Sequence, residues 1–511
     1  MPTYLSPGVY VEEVESGSRP IEGVGTAMAA FVGFTADGPY DEPTLVTSWS
    51  QYTQAFGGFA EGAYLPQAVF GYFLNGGSTC YVVRIGQNGN GAKPELPELP
   101  QAQLGGYRLT IKGLPDGAKS DDISVEVADP PEDAAGDDRF TLLVKQAGKV
   151  VETHHVTTRR GKENVVTVVR EKSNLITLEE ITTGAMAKPD KGTVALRAPA
   201  PAPAAPPEPV RPEAFVGDVR DRTGFGGLEV IDDVTMIAVP DLAGLYEREQ
   251  ITLEELQSVQ LAMIAHAELM GNRMAILDPP RGMSPQQVRD WRVDTAGYDS
   301  RYAAIYYPWI KVFDQATGTN TFVPPSGHMA GVWARTDGTR GVHKAPANEV
   351  MRGVVELETR LTKAEQSVLN PEGVNCIRAF PGRGIRVWGA RTLSSDSDWR
   401  YLNVRRLFNY LEESILNGTQ WVVFEPNDDA LWARIRRTIS AFLVMEWRKG
   451  ALFGLTPDEA FYVKCDRETN PAESIDAGQV ICEVGVAPVK PAEFVIFRLS
   501  QLSGGTSLVN E

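Results

Sequence analysis

A run rich in proline and alanine between residues 198 and 212 constrains the fold of this chain more than any other feature. Proline fixes one backbone angle and lacks a main-chain donor, so such a run forms a semi-rigid spacer without a packed core. The sequence therefore predicts a linker at 198–212 with separately folded parts on either side. The prolines of this run are Pro199, Pro201, Pro203, Pro206, Pro207, Pro209 and Pro212.

The stretch before the linker predicts an inserted β-rich domain at 95–197. Residues 87–98 are polar and contain glycine and proline, and short alternating runs follow from residue 107 onward. Runs of this kind, bounded by turn residues, are typical of strands. The predicted strands include Tyr107–Ile111, Ile123–Val127, Phe140–Val144 and Val165–Val169.

The region from 230 to 310 alternates between strand and helix patterns. Such a rhythm predicts right-handed βαβ units and a mainly parallel sheet. We expect a central α/β domain built from residues 26–90 and 213–345, and a mixed α/β, multidomain fold class. The predicted strands are Val234–Val239, Arg273–Leu277 and Tyr302–Tyr307, and the predicted helices are Leu253–Met270 and Pro285–Val293.

A C-terminal α+β domain is expected at 346–490. Its two long helices are predicted at Asn403–Asn417 and Asp428–Lys449, each followed by glycine. On a wheel of about 100° per residue, the second helix gathers arginines on a stripe beside its apolar face. That basic stripe is either a contact surface or a solvated flank. The stripe contains Arg434, Arg437 and Arg448, with Lys449 at the helix end.

Strands are predicted after this helix at Phe461–Cys465, Gln479–Val486 and Glu493–Leu499.

Both ends of the chain are predicted to be extended arms, at 1–25 and 491–511. Val9, Tyr10, Val11 and Glu12 alternate as in a strand, and Phe494, Val495, Ile496 and Phe497 are apolar on both faces of one. An unpaired strand leaves main-chain groups without partners, so each arm is a candidate for pairing with another subunit. Pairing within one chain remains equally open.

Charge and composition exclude several classes of partner. The formal net charge of −17 argues against direct binding of nucleic acid or anionic lipid. The longest apolar runs fall short of the roughly 18 residues that a membrane-spanning helix needs, and the N-terminus lacks the pattern of an export signal. The four cysteines form no C-x-x-C pair, so neither a zinc site nor a disulfide framework is predicted. Buried, reduced thiols would suit synthesis in the cytoplasm.

A hydrolase remains an alternative because the chain offers a serine, two histidines and, at the ends of predicted parallel strands, two aspartates. The candidates are Ser326, His328 and His343, with Asp241 or Asp278 as the acid. The chain lacks the G-x-S-x-G elbow that exposes a nucleophilic serine, and it also lacks P-loop spacing. We therefore expect no catalytic, cofactor-binding or metal-binding residues.

Three groups of motifs resemble the tail sheath family of contractile phages, R-type pyocins and contractile injection systems. Their order and spacing are also similar, and the resemblance covers residues 1–86 and 215–511. The motifs are Ser6-Pro7-Gly8-Val9-Tyr10-Val11-Glu12-Glu13, Val323-Pro324-Pro325-Ser326-Gly327-His328 with Gly341-Val342-His343-Lys344-Ala345-Pro346-Ala347-Asn348, and Trp388-Gly389-Ala390-Arg391-Thr392 with Asn403-Val404-Arg405-Arg406-Leu407.

The resemblance implies a structural subunit of stacked hexameric rings that forms a helical sheath around an inner tube. Such a sheath assembles in a metastable extended state, without cofactors, and contracts to drive the tube through a target envelope. The two arms would interlock with neighbouring subunits, and the helix at 428–449 would face the tube. The resemblance also implies a subtilisin-like central fold, an outer position for 95–197, and contacts with baseplate and terminator proteins.

The family also implies assembly in the bacterial cytoplasm, as part of a phage tail or tail-like particle. Release from the producing cell is left open, as is a second alternative, a coat or adhesin polymer that does not contract.

Overall fold

The computed structural model describes residues 20–60, 62–86, 101–104, 107–112, 123–131, 136, 138–146, 148–159, 161–180, 188–196 and 211–498. The chain divides into two compact units. The first, here called the body, contains Met1–Gly91 and Pro209–Glu511, and the second, the inserted unit, contains Ala92–Glu208. The arm at Val9–Glu12 and the linker residues 198–210 lie outside the described residues, so both remain predictions.

The strands are β1 Ala29–Gly33, β2 Thr44–Val46, β3 Cys80–Arg84, β4 Gln101–Leu104, β5 Tyr107–Ile111, β6 Ile123–Ala128, β7 Arg139–Gln146, β8 Lys149–Thr157, β9 Ile176–Glu180, β10 Gly192–Ala195, β11 Met236–Ala238, β12 Met274–Leu277, β13 Ala303–Tyr307, β14 Ile310–Asp314, β15 Thr319–Val323, β16 Val354–Leu357, β17 Val374–Phe380, β18 Gly384–Val387, β19 Phe461–Lys464 and β20 Glu483–Val486.

The helices are α1 Trp49–Phe56, α2 Leu65–Asn75, α3 Val165–Lys172, α4 Glu213–Val216, α5 Pro240–Glu247, α6 Leu253–Met270, α7 Pro285–Asp290, α8 Ser326–Arg340, α9 Lys363–Leu369, α10 Leu402–Gly418, α11 Asp429–Arg448, α12 Pro457–Ala460 and α13 Ala472–Asp476. Short 3-10 turns occur at Gly226–Val230, Asn370–Glu372 and Gln420–Val422, and a π-helical turn follows α7 at Trp291–Ala296. None of the described helices combines the length and apolar character needed to cross a bilayer.

A large sheet forms the centre of the body. Among the described residues it has eight strands in the order β18-β17-β13-β12-β11-β1-β3-β2. The inner six run parallel, and β2 and β18 are antiparallel edges. Every residue of β1, β11, β12 and β13 is buried, as expected for a parallel sheet covered on both faces. The predicted mixed α/β architecture is confirmed.

The sheet extends beyond the expected domain boundary at 345 and 346. Strand β17 pairs in parallel with β13, with Ile305 opposite Val374, and β18 follows it to Val387. That boundary therefore does not coincide with the edge of the sheet. The sequence around 345 carries no spacer, and a strand pairing between residues about 70 positions apart leaves no local signal.

The inserted unit has its own apolar core and two small sheets. Their described strands are ordered β10-β6-β7-β8 and β4-β5-β9. The expected strand at Val165–Val169 is wrong, because these residues begin helix α3. The Asn164 side chain caps this helix by accepting from Val166 N, and Val165, Val168 and Val169 are buried at helical spacing. Capping and burial outweigh the strand preference of valine.

Helices α10 and α11 pack with the β19–β20 ribbon around a separate apolar core in the body. Helix α11 has Asp428 as its N-cap, which accepts from Leu431 N. The predicted strand at Gln479–Val486 begins only at Glu483. The predicted strand at Glu493–Leu499 is absent from its described residues, 493–498, which have no regular secondary structure. A strand needs a neighbouring ladder, and none of the described segments supplies one there.

Candidate interaction surfaces

The buried carboxylate Asp241 joins elements of the body. It lies at the start of α5 and accepts hydrogen bonds from Phe34 N at 2.7 Å, Leu65 N at 3.3 Å and Tyr64 N. Burial raises its pKa to about 6, against the opposing effect of these amides. Asp241 therefore holds the end of β1 against the start of α2.

Asp278 and Ser326 are brought together, but through the backbone. The Asp278 carboxyl accepts from Ser326 N at 3.0 Å, at the start of α8. Burial raises the pKa of Asp278 to about 7, and the neighbouring Ser326 opposes that shift. A carboxyl that receives the first amide of a helix acts as a helix-terminal anchor.

His328 belongs to a tight contact between α2 and α8. Its ring lies against Gly71, where an added Cβ would come within 2.3 Å of it. Gly327 and Gly331 face the backbone of α2 in the same way, with an added Cβ only 2.3 Å from Ala68 Cα and 2.4 Å from Tyr72 O. Burial lowers the pKa of His328 to about 4. The Ser-Gly-His run is thus explained by helix packing.

His343 lies in the loop after α8. Its carbonyl accepts from Asn403 Nδ2 at 2.7 Å, which ties this loop to α10. Burial lowers the pKa of His343 below its usual value, with smaller opposing effects from nearby carboxylates. Each of the hydrolase candidates therefore has a structural contact in the body.

A C-terminal segment, residues 487–498, follows β20 and contacts the body at several points. Its first part is held by main-chain bonds: Ala487 N donates to Ala460 O at 2.8 Å, and Val489 N donates to Ala451 O at 3.2 Å. Asn403 also reaches it, donating to Val489 O at 3.0 Å. The segment is therefore docked up to this point by ordinary backbone pairing.

Glu493 is the last strong anchor of this segment. Arg391 donates to its carboxylate from Nε at 2.9 Å and from Nη2 at 2.6 Å. Asn370 donates to the same group at 2.8 Å and Tyr401 at 3.2 Å. Burial opposes ionisation of Glu493, but these hydrogen bonds outweigh it and hold its pKa below the usual value. Such charge-assisted, bidentate contacts are among the stronger side-chain interactions.

The four residues after this anchor are fully displayed to solvent. Phe494, Val495, Ile496 and Phe497 are 72%, 68%, 78% and 84% exposed. Four consecutive large apolar side chains exposed on both sides of the backbone form an unusual surface patch, of the kind found at sites of interaction with other molecules. Their main-chain groups also lack a ladder within the described part of the chain.

The second surface is the basic face of α11. Arg437 and Arg448 are exposed and form no ion pair within the described residues, whereas Arg434 pairs with Glu425 at 2.7 Å and lies over the Trp421 ring at 5.0 Å. Lys449 pairs with Glu446 at 2.7 Å. The stripe predicted from the helical wheel therefore exists, but two of its four cations already have partners.

An apolar patch beside this face was missed by the sequence reasoning. Phe453 and Leu455 are 74% and 91% exposed, and Met445 on α11 is 54% exposed. Trp447 Nε1 donates to Gly454 O at 2.9 Å, which holds the loop against the end of the helix. The signal was available, since Phe453 and Leu455 flank Gly454 a few residues after α11.

Comparisons with known proteins identify relatives along most of the chain. Residues 233–393 match the family model described as the phage tail sheath protein central domain, and residues 394–501 match the phage tail sheath C-terminal domain. Together the two matches cover more than half of the 511 residues.

Individual relatives carry the same description. The tail sheath protein of Burkholderia phage BcepMu is 24% identical over 506 residues, which are 96% of this chain and 95% of that protein. The tail sheath protein of Vibrio phage KVP40 is 29% identical over 235 residues, 45% of this chain, and the match spans about a third (33%) of that relative. The contracted helical sheath of the anti-feeding prophage superposes with a TM-score of 0.60 at 25% identity, covering 98% of this chain and all (100%) of that one.

Proposed function

This chain belongs to the phage tail sheath family, and on that premise we propose that it is the structural subunit of a contractile sheath. Subunits polymerise as stacked hexameric rings around an inner tube in a metastable extended state. Contraction of the polymer drives the tube through a target envelope. The single observation that carries this proposal is the exposed apolar run Phe494–Phe497, displayed directly after the Glu493 anchor.

Phe494–Phe497 acts as a strand donated to a neighbouring subunit. The β19–β20 ribbon is a suitable acceptor, because it is a two-stranded sheet among the described residues and such ribbons gain stability from further strands. Tyr462 on β19 is 59% exposed, so its side of the ribbon is open to solvent. The N-terminal arm, Val9–Glu12, supplies a second strand to another neighbour, and the two arms keep subunits linked while their bodies move.

The basic face of α11 contacts the inner tube through Arg437 and Arg448. Exposed ion pairs contribute only about 0–1 kcal/mol each, so a contact of this kind becomes strong by repetition along the polymer and still releases during contraction. Arg434 and Lys449 contribute less directly, because each already has a carboxylate partner in the body.

The remaining parts of the chain take peripheral roles. The inserted domain, 95–197, decorates the outside of the sheath, and the linker at 198–212 connects it to the body. The sheath ends bind baseplate and terminator proteins. Subunits are synthesised and assembled in the bacterial cytoplasm as part of a phage tail or tail-like particle. Catalysis is not part of this function.

Negative-stain microscopy of the purified full-length chain tests the proposal. We expect long hollow cylinders, because family sheaths collapse to the contracted form without a tube. The double variant Val495→Asp with Ile496→Asp places charges in the donated strand and should reduce cylinders to rings or monomers. Deletion of residues 1–20 should have the same effect, through the other arm.

The matched control is Val150→Asp with Val151→Asp, which adds the same charges at two exposed valines of the inserted unit. Cylinders should persist in this control. A wild-type chain that stays monomeric under all assembly conditions, or normal cylinders from the Val495 and Ile496 variant, would contradict the proposed strand exchange.

A further inference from the structure

Two cysteines far apart in sequence lie opposite each other at the open end of the β19–β20 ribbon. The last paired residues of the ribbon are Lys464 and Glu483, so the next residues on the two chains are Cys465 and Cys482. The two thiols lie close enough for each to shift the pKa of the other.

The register gives this pair a geometry that a disulfide can span. Ala487 N donates to Ala460 O, so the Ala460 and Ala487 pair is a hydrogen-bonded one. Pairs alternate along an antiparallel ladder, and five steps lead to Cys465 and Cys482 at a non-hydrogen-bonded position. Cα atoms at such positions are about 4.5 Å apart, within the roughly 4.4–6.8 Å range of disulfides.

Asn470 provides an independent check on this register. Its side chain accepts from Ile481 N at 2.6 Å and donates to Ile481 O at 3.0 Å. One step beyond the cysteines the ladder should have a hydrogen-bonded pair, and the Asn470 amide makes these two bonds in place of main-chain groups. The same amide lies 3.8 Å from Cys465 Sγ. Asn470 is itself buried, so this arrangement is held rigidly.

We propose that Cys465 and Cys482 form an intrachain disulfide when the protein meets a low-molecular-weight disulfide such as glutathione disulfide. Cys482, the more accessible thiol, loses its proton and attacks one glutathione sulfur, breaking that S–S bond and releasing one glutathione thiol. Cys465 then loses its proton and attacks the Cys482 sulfur, which releases the second glutathione. Two protein thiols are oxidised and one glutathione disulfide is reduced to two thiols.

The bond would join β19 to β20, and therefore to the C-terminal segment that continues from β20. Burial raises the pKa of Cys482 to about 12 and also raises that of Cys465, so the thiolate fraction is small and the first attack is slow at neutral pH. The pair thus stays reduced in a glutathione-reducing compartment and is oxidised only after prolonged exposure to an oxidant. This inference does not depend on the sheath function.

The test is a thiol count on the folded full-length chain before and after incubation with glutathione disulfide. Remaining thiols are blocked with N-ethylmaleimide during denaturation, and the protein is digested without reduction. We expect two of the four thiols to be lost and a single cross-linked peptide pair containing Cys465 and Cys482. Cys80 and Cys376 are buried on β3 and β17 of the large sheet and should remain alkylated.

The variant Cys465→Ser removes the second step and should leave glutathione attached to Cys482. Cys482→Ser should instead retain three free thiols, because Cys465 is fully buried. Four thiols that remain equally reactive after oxidation of the wild-type chain would overturn the proposal. So would cross-links between separate chains, seen as dimers on a non-reducing gel, or cross-links that join other cysteines.

Discussion

Glu493 marks the boundary between the part of the C-terminal segment that is bound to the body and the part that is exposed to solvent. Its carboxylate receives four hydrogen bonds from Arg391, Asn370 and Tyr401, while the next residue, Phe494, is 72% exposed. The carboxylate is stabilised in its ionised form, so its anchoring contribution is present above its usual pKa near 4.5 and is lost as pH falls through the lower folded-state value.

We predict that Glu493→Gln loosens the C-terminal segment. Charge-assisted hydrogen bonds contribute about 1.5–3 kcal/mol, so local opening should become roughly tenfold or more frequent. Hydrogen exchange at peptides containing Val489 should therefore accelerate at pH 7, and the difference from wild type should disappear in acid. Glu356→Gln, which alters the ion pairs of Glu356 on β16 with Lys311 and Arg360, is the control and should leave this exchange unchanged.

The contribution of Asp278 to stability changes with pH in the opposite direction to that of Glu493. Its folded-state pKa is raised to about 7, so its stabilising contribution is complete below its usual value of 3.8 and is lost as pH rises toward 7. Asp278→Asn should remove this dependence, because an amide can still accept from Ser326 N without ionising. The variant should gain stability relative to wild type between pH 4 and pH 8, by up to about 4 kcal/mol.

Urea unfolding followed by tryptophan fluorescence measures this effect in the body alone, since all 9 tryptophans lie outside residues 92–208. The exposed carboxyl variant Asp221→Asn is the control. A wild-type stability that does not decline relative to Asp278→Asn over this pH range would contradict the assignment.

At the scale of elements, α11 presents different properties on its two sides. Leu431, Ile435, Ile439 and Phe442 are buried in the C-terminal core, while Arg437 and Arg448 point away from it. The helical period of 3.6 residues places these two sets on different sides of the helix. The Asp428 side chain caps the start of the helix by accepting from Leu431 N. The net charge of the protein is −17, so this exposed basic face differs in sign from the chain as a whole, and the proposed tube contact would require acidic groups on the tube.

We predict that Arg437→Glu with Arg448→Glu abolishes co-assembly with the inner tube and leaves self-assembly intact. Co-sedimentation of sheath with purified tube protein measures co-assembly, and negative-stain microscopy measures self-assembly. Arg220→Glu with Arg360→Glu makes the same change in net charge at exposed sites elsewhere and should co-assemble normally. Equal binding by the two double variants would remove the proposed role of α11.

At the scale of the whole molecule, the chain divides into two compact units. The body contains the large sheet, the α10 and α11 pair and the C-terminal segment, whereas the inserted unit has its own core. A domain that has its own hydrophobic core can fold independently of the chain into which it is inserted.

Replacement of residues 95–197 by a short flexible linker should therefore leave cylinders intact. The cylinders should be thinner in cross-section by microscopy, and tryptophan fluorescence should report an unchanged unfolding midpoint for the body. A deletion of equal size in the large sheet would unfold the body, so it cannot serve as a matched control. The wild-type chain is therefore the control for both measurements. Loss of soluble protein or of cylinders would show that the inserted domain is needed for assembly.

The sequence alone determined the order of strands and helices in the centre of the chain, the position of α11 and its basic stripe, and the resemblance carried by its motifs. These follow from patterns between neighbouring residues, whose spacing is set by the 3.6-residue and two-residue periods of helix and strand. The tertiary structure decided what local spacing does not encode. It assigned β17 and β18 to the large sheet, explained Ser326 and His328 through the close approach of α2 and α8, and turned Val165–Val169 into a capped helix. It also placed Cys465 beside Cys482 and left Phe494–Phe497 exposed, because contacts between distant residues depend on the packing of the whole chain.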